Sequence, residues 1–284
     1  MTMQEATYYL LNQLQPIYGK SEASAITDLV MEKLTGSGKA ERMIYKNEAI
    51  TAKEEEKLKV YTEKLLQHEP VQYVLHEAWF AGLKFYVDPS VLIPRPETEE
   101  LVEWIIEDVK FPVDELSILD IGSGSGCIPI TLKRRMKRTD VWSCDISEPA
   151  LEVAKKNAAT LNAAIQFRLL NILQSAEWES LPQFDVIASN PPYVPAADKS
   201  NMSRNVLAYE PHTALFVPDE DPLLFYKAIA ELGKQKLKKD GKIYCEIYED
   251  LGDETTTLFQ KEGYKTELRK DMQQKNRLIK AVLS

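Results

Sequence analysis

The hydrophobic positions of the chain change their period twice. From residue 1 to about 69 they recur at helical spacing, as Tyr8, Leu11 and Leu14 and then as Ile26, Val30 and Leu34. Side chains three and four apart share one face of a helix, so the stretch predicts a set of amphipathic helices. Ser21 is the expected N-cap of one of them and Gly36-Ser37-Gly38 its stop. Thr51-Ala52-Lys53-Glu54 reads as a capping box that opens a helix with Leu58, Tyr61 and Leu65 on one face. Between residues 70 and 95 strand formers take over. Val71, Tyr73, Trp79, Phe80, Phe85, Tyr86 and Val87, with Gly82 as the turn, predict a β-hairpin linker. An amphipathic helix through Leu101, Trp104 and Ile105 follows.

From Ser117 onward short apolar runs alternate with helical patterns. Strands are expected at 117–121, 140–145, 165–170, 184–190 and 241–247, and helices near 125–137, 148–161, 221–238 and 251–262. Residues 264–270 and 277–283 read as two closing strands. Such alternation makes an α/β fold, a parallel doubly wound sheet. The predicted organisation is a helical domain (1–69), a hairpin linker (70–95) and a Rossmann-like α/β domain (96–284).

Composition narrows the class. The 284 residues are 44% hydrophobic and 28% charged, which is ordinary for a globular protein. No run of about 18 apolar residues predicts a membrane span. The N-terminus lacks the basic-then-apolar order of a signal peptide. Cys127, Cys144 and Cys245 are odd in number and far apart, as suits a reducing cytoplasm. His68, His76 and His212 show no ligand spacing with them, so no metal site is expected. A net charge of −9 does not favour a protein that grips phosphate backbones, so no direct nucleic-acid partner is expected. The basic clusters Lys234–Lys239 and Lys133–Arg138 fall at expected helix ends, where cations complement the dipole. Gly36-Ser37-Gly38-Lys39 lacks the earlier glycine and the following Ser/Thr of a phosphate loop.

The candidate chemistry gathers at strand ends. The run Phe184–Ser189 stops at Asn190-Pro191-Pro192-Tyr193. Two prolines cannot donate to a ladder, and a residue before proline is held extended. The Asn190 side-chain oxygen and the Pro191 carbonyl are then two acceptors for the hydrogens of a planar NH2 group, with Tyr193 against its face. Taken alone, the tetrapeptide also fits a proline-rich turn. The first strand of the alternating region ends in Asp120-Ile121-Gly122-Ser123-Gly124-Ser125-Gly126. Glycines let a backbone turn tightly against a ligand at a helix N-terminus. Asp120 would repel a pyrophosphate but suits a cationic amino group. Asp145, followed by Ile146, ends the next strand, where an acid binds ribose hydroxyls. Asn171 and Ile172 end the third, suited to adenine or, equally, to a turn and a core position. A ligand with ribose, an amino group and no phosphate is S-adenosyl-L-methionine, whose product is S-adenosyl-L-homocysteine.

Together the glycine loop, Asp145 and Asn190-Pro191-Pro192-Tyr193 resemble class I methyltransferases that act on planar nitrogen. Pro70-Val71-Gln72-Tyr73-Val74 with Trp79-Phe80 is similar to the glutamine branch, the HemK-type peptide chain release factor methyltransferases. So are Ile93-Pro94-Arg95-Pro96-Glu97-Thr98-Glu99, Tyr209-Glu210-Pro211-His212-Thr213-Ala214-Leu215, Glu246 and Arg269-Lys270-Asp271. The resemblance implies transfer of a methyl group to the glutamine N5 of the Gly-Gly-Gln motif in class I release factors. It implies catalytic roles for Asn190, Pro191 and Tyr193. It places Pro96 and Thr98 with the cofactor, and Pro192 and Glu210 with the substrate. The helical domain would recognise the substrate, and the enzyme would act as a monomer. Departures from the pattern are His76 and Tyr248, where glycine is expected, and Asp219-Glu220-Asp221-Pro222. The alternatives are an adenine-N6 nucleic-acid methyltransferase, which uses the same corner on a flipped base, and a non-catalytic nucleotide-binding protein of this fold.

Overall fold

The computed structural model describes residues 1–109 and 116–283. The chain divides into two compact units, Met1–Glu77 with Ser203–Tyr209, and Ala78–Met202 with Glu210–Ser284.

The first unit is helical. Helix α1 (Met3–Thr35) opens on a capping box between Thr2 and Glu5 and stops at left-handed Gly36. Its interior breaks at Gly19, at φ +72°, two residues before the expected Ser21 cap. After α2 (Lys39–Ile44), the expected Thr51–Glu54 box caps α3 (Ala52–Leu66). Leu10, Leu14, Val30, Leu58 and Leu65 form a buried core. Val71 and Tyr73, expected in a strand, lie instead in a short helix α4 (Val71–Leu75). Val74 and Leu75 are buried in the helical core, and that packing overrides a strand propensity which is only a surface-fitting preference. His76, where a glycine was expected, ends α4 in the left-handed conformation at φ +53°.

The second unit begins with a hairpin, β1 (Ala78–Phe80) and β2 (Leu83–Phe85). Ala81 and Gly82 both have positive φ, as a two-residue hairpin turn requires. Helix α5 (Pro96–Asp108) follows, then β3 (Leu116–Ile121), α6 (Cys127–Arg135), β4 (Thr139–Asp145), α7 (Glu148–Thr160), β5 (Gln166–Leu169) and β6 (Phe184–Ser189). Later come β7 (Val194–Pro195), then α8 (Arg204–Tyr209), which belongs to the first unit, and then β8 (Phe216–Val217), α9 (Leu224–Lys236), β9 (Leu237–Glu246), α10 (Gly252–Lys261), β10 (Tyr264–Lys270) and β11 (Asn276–Leu283). The small parallel pair β7–β8 was not anticipated.

Among the described residues the main sheet has seven strands in the order β10-β11-β9-β6-β3-β4-β5. The pairs from β9 to β5 are parallel, and β11 runs antiparallel to β9 and β10. Neighbouring residues face opposite sides. Ile118, Val186 and Tyr244 pack with α5, α6 and α7, whereas Leu119, Ile187 and Cys245 pack with α9 and α10. Both faces are therefore covered, as a parallel sheet needs. From β3 the chain winds to β4 and β5 on one side and then returns to β6 on the other. Such a switch point opens a crevice at the carboxyl ends of the strands.

Candidate active site

Strand register brings the candidate residues to one rim. Asp120 pairs with Ser143 and Ala188, Ile121 with Ser189, Asp145 with Leu169, and Ser189 with Cys245. The loops leaving these strands surround a cavity of about 380 Å³. That lies within the usual range for a small-molecule site.

The glycine loop is held by backbone bonds. Gly122 and Ser123 N–H donate to the Cys144 carbonyl at 2.8 and 3.0 Å, and Gly126 N–H to the Ser123 carbonyl at 2.7 Å. Gly126 caps α6 at φ +81°, and a Cβ there would stand 2.8 Å from Ile130 Cδ1 and 3.3 Å from Ala154 Cβ. Only glycine lets the loop and two helices meet so closely.

Two carboxylates flank this loop. Asp145 lines the cavity, with Oδ2 accepting from Gly124 N–H and Oδ1 from Ser147 N–H, both at 2.9 Å. Burial raises its pKa against those donors. Asp120 is fully buried behind the loop. Its Oδ2 accepts from the Ser143 hydroxyl at 2.6 Å, and Ser143 in turn shares a hydrogen bond with Ser123. Asp120 Oδ1 has no partner among the described residues. Burial pushes this carboxyl up to about 8, offset in part by Ser143. A positive charge brought near the loop would lower that pKa again.

At the third strand end, Asn171 Oδ1 accepts from Leu173 N–H at 3.0 Å, while Asn171 N–H donates to Glu177 at 2.7 Å. Ile172 is buried in the core and also lines the cavity, whereas Ile146 lines it with 63% of its surface exposed.

The fourth strand end is the corner. Asn190 Nδ2 donates to Thr98 Oγ1 at 3.0 Å, and the Thr98 hydroxyl donates to Glu246 Oε2 at 2.7 Å. The Tyr193 hydroxyl donates to Glu246 Oε1 at 2.8 Å. Glu246 and Thr98 are buried, at 1% and 2% exposure. Burial raises the Glu246 pKa, opposed by its two hydroxyl donors and by Arg277. Burial, and then the Glu246 charge, push the Tyr193 phenol well above its ordinary value. Tyr248, the other unexpected non-glycine, stacks on Tyr193 with ring centroids 6.1 Å apart.

Of the expected residues, Ile121, Gly122, Ser123, Gly124, Asp145, Ile146, Asn171, Ile172, Thr98, Asn190, Pro191 and Pro192 line one cavity. Asp120, Gly126, Pro96, Tyr193 and Glu210 are outside its lining. Each has a reason. Pro96 occupies the first turn of α5, where a missing N–H costs nothing. The Tyr193 hydroxyl is turned to Glu246. The Glu210 carboxylate is buried and spent on Arg95, at 2.6 Å, and on Ile93 N–H, at 3.2 Å. It pins the segment before α5. Sequence reasoning passed over Leu170, Phe216 and Phe225, which also line the cavity. They are apolar residues in or beside loops and carry no chemical signature. Glu246, marked in the sequence by the family resemblance, also closes the apolar run Ile243-Tyr244-Cys245, as Asp145 closes its own strand.

This topology, with a ligand cavity at the switch point and a glycine loop beside acids on adjacent strand ends, defines a class I methyltransferase. Two family models match the chain, the methyltransferase small domain over residues 101–212 and the PrmC N-terminal domain over residues 6–75. A release factor glutamine methyltransferase of Flavobacterium psychrophilum is 48% identical over 219 residues, 76% of each chain. One of Bacteroides thetaiotaomicron is 39% identical over 280 residues, 98% of this chain and 99% of the relative. The chain belongs to the release factor glutamine methyltransferase family. Among solved structures, a methyltransferase from Pyrococcus furiosus aligns with TM-score 0.52 and 18% identity over 72% of this chain and 90% of its own. The hMettl16 catalytic domain, solved with a MAT2A 3'UTR hairpin, aligns with TM-score 0.55 and 18% identity over 82% of this chain and 81% of its own. At that identity the likeness is one of fold.

Proposed function

We propose that this chain methylates the side-chain amide nitrogen of the glutamine in the Gly-Gly-Gln motif of class I release factors, with S-adenosylmethionine as donor. The observation that carries the proposal is the direction of the Asn190 amide. Its NH2 end is committed to Thr98, so its oxygen, with the Pro191 carbonyl, is left to accept the two hydrogens of a planar NH2 group at the cavity wall.

When bound, the cofactor supplies an electrophilic methyl group. The residues present fit it. The Asp120 carboxyl behind the loop supports a cationic amino group through its charge, and Asp145, at the cavity wall, suits ribose hydroxyls. Ile146, Asn171 and Ile172 suit an adenine, and the Gly122–Gly126 loop gives close backbone approach. An amide nitrogen is a poor nucleophile because its lone pair is shared with the carbonyl. Two acceptors on its hydrogens hold the nitrogen in line and place negative dipoles where positive charge develops. Tyr193, braced by Tyr248, backs the corner. Both Glu246 oxygens already accept hydrogen bonds, so we assign it no proton transfer from the substrate. The alkylated nitrogen is acidic enough to release its proton to water.

The helical unit takes the recognition role, which its match to the PrmC N-terminal domain supports. We place the enzyme in the cytoplasm as a monomer without a nucleic-acid partner. The three free cysteines and the net charge of −9 support that setting. Among the described residues no helix is long and apolar enough to cross a membrane.

The test is incubation with labelled S-adenosylmethionine and a class I release factor, beside a factor whose Gly-Gly-Gln glutamine is changed and a duplex DNA. Label in the unchanged factor alone is the expected result. Label in DNA, or in both factors equally, contradicts the reading.

A further inference from the structure

An asparagine amide has a donor end and an acceptor end of nearly the same shape, and only the oxygen can receive a substrate N–H. Something must therefore keep Asn190 the right way round. Among the described residues the Asn190 side chain hydrogen-bonds only to Thr98 Oγ1, and a hydroxyl can either donate or accept. The decision is made one bond further in. An ionised carboxylate is acceptor-only. Glu246 takes the Thr98 proton on Oε2 and the Tyr193 proton on Oε1. With its proton committed, Thr98 Oγ1 offers Asn190 lone pairs alone, so Nδ2 must face inward.

We propose that Glu246 is the positioning residue of this site. Its negative charge sets the direction of the hydrogen bonds from Thr98 and Tyr193, and so holds the Asn190 oxygen toward the substrate amide. The proposal rests on the glutamine reading above. The sheet makes it possible, because β9 lies beside β6 with Cys245 opposite Ser189, which brings Glu246 level with Asn190.

A second state follows from the same bonds. If Glu246 is protonated on Oε2, it donates to Thr98 Oγ1. The Thr98 proton then turns to Asn190, whose oxygen accepts it, and Nδ2 faces the substrate NH2. Two donors then oppose each other and the site is off. The groups facing Glu246 are the hydroxyls of Thr98 from α5 and Tyr193 from the corner, the Cys127 thiol from α6, Arg277 from β11 and Glu97 from α5. The Tyr226 hydroxyl donates to its backbone carbonyl at 3.1 Å. Burial and Glu97 favour the neutral acid, while Arg277 and the two hydroxyls favour the charge. The balance raises the pKa, so charge and activity are lost on acidification at a higher pH than for an ordinary glutamate.

The experiment measures kcat and KM for release-factor methylation from pH 5 to 8 in wild type, Glu246→Gln, Thr98→Val and Thr98→Ser, with S-adenosylhomocysteine affinity as a check on folding. Glutamine carries an NH2 as well as an oxygen, so it no longer imposes a direction. Glu246→Gln and Thr98→Val should each lower kcat about 100-fold, the scale of one lost transition-state partner, with product affinity changed by less than about threefold. Thr98→Ser, which keeps the hydroxyl, should stay within about fivefold of wild type. The acid limb of wild-type kcat should be absent from the residual activity of Glu246→Gln. Glu246→Gln within about fivefold of wild type, or with the acid limb intact, overturns the proposal. If Glu246→Gln does not bind the product, the Thr98 pair decides, since equal activity of Val and Ser overturns it too. Wild type that leaves the release factor unlabelled overturns the glutamine reading itself and this proposal with it.

Discussion

The loop after β3 and the corner after β6 are neighbours on adjacent strand ends, yet they are built in opposite ways. The loop is made of backbone freedom, with Gly122, Gly124 and Gly126 all at positive φ. Behind it stands Asp120, a buried acid with an oxygen left over. The corner is made of stiffness. Two prolines stop the strand, and the polar atoms behind Asn190 are joined in one chain through Thr98, Glu246 and Tyr193. A binding wall can be left incomplete, because the ligand completes it. A wall that steers a reaction must be complete beforehand, so that its side-chain acceptor has a single orientation.

Changes to each wall should therefore fail differently. The largest effect on the fold should come from Gly126→Val, which meets both a left-handed φ and a Cβ 2.8 Å from Ile130. Strain and overpacking together should remove about 3 kcal/mol or more of stability, read by urea unfolding. A loss under about 0.5 kcal/mol would mean the loop moves freely and the contrast is wrong.

Next comes Asp120→Asn. It should weaken cofactor binding by about 2–5 kcal/mol, as for a buried charge pair losing one partner, read by calorimetry. It should also stabilise the cofactor-free protein at high pH. The Asp120 carboxyl titrates near 8 when folded, far above an unfolded aspartate, so its contribution to stability is present at low pH and lost as pH rises toward 8. Replacing it removes that loss. Melting temperatures of wild type and variant should differ most above pH 8 and converge near pH 4. Equal pH dependence in the two proteins would contradict the account of Asp120.

The smallest effect should be Tyr193→Phe. It keeps the ring against Tyr248 but removes one donor to Glu246, worth about 1 kcal/mol. Turnover should fall about fivefold to tenfold with cofactor affinity unchanged. A change in affinity instead would assign Tyr193 to the binding wall.

The two walls also differed in how far they could be read from the sequence. Each is written in a contiguous stretch, Asp120–Gly126 and Asn190–Tyr193, so the residues and their chemistry were legible before the fold. What supports them was not. Thr98 bonds to Glu246 across 148 residues of chain, and Asn190 to Thr98 across 92. Glu210 is locked to Arg95 across 115 residues. No local pattern records such pairings. Most strands and helices of the α/β unit matched the period of their hydrophobic positions, but β9 opens at Leu237, inside the helix expected to reach 238, so the basic cluster Lys234–Lys239 runs from the end of α9 into a strand. Val71–Leu75 did not match either, because burial of Val74 and Leu75 in a helical core decided the conformation. Likewise Ser203–Tyr209 belongs with the helical unit, although it stands in the middle of the α/β stretch of sequence.

The most direct test of the contrast is Asn190→Ala, measured twice on the same preparation, once for cofactor affinity and once for release-factor methylation. Affinity should stay within about threefold of wild type while turnover falls by about 10³. Turnover within about tenfold of wild type, or a loss of affinity that accounts for the loss of turnover, would contradict it.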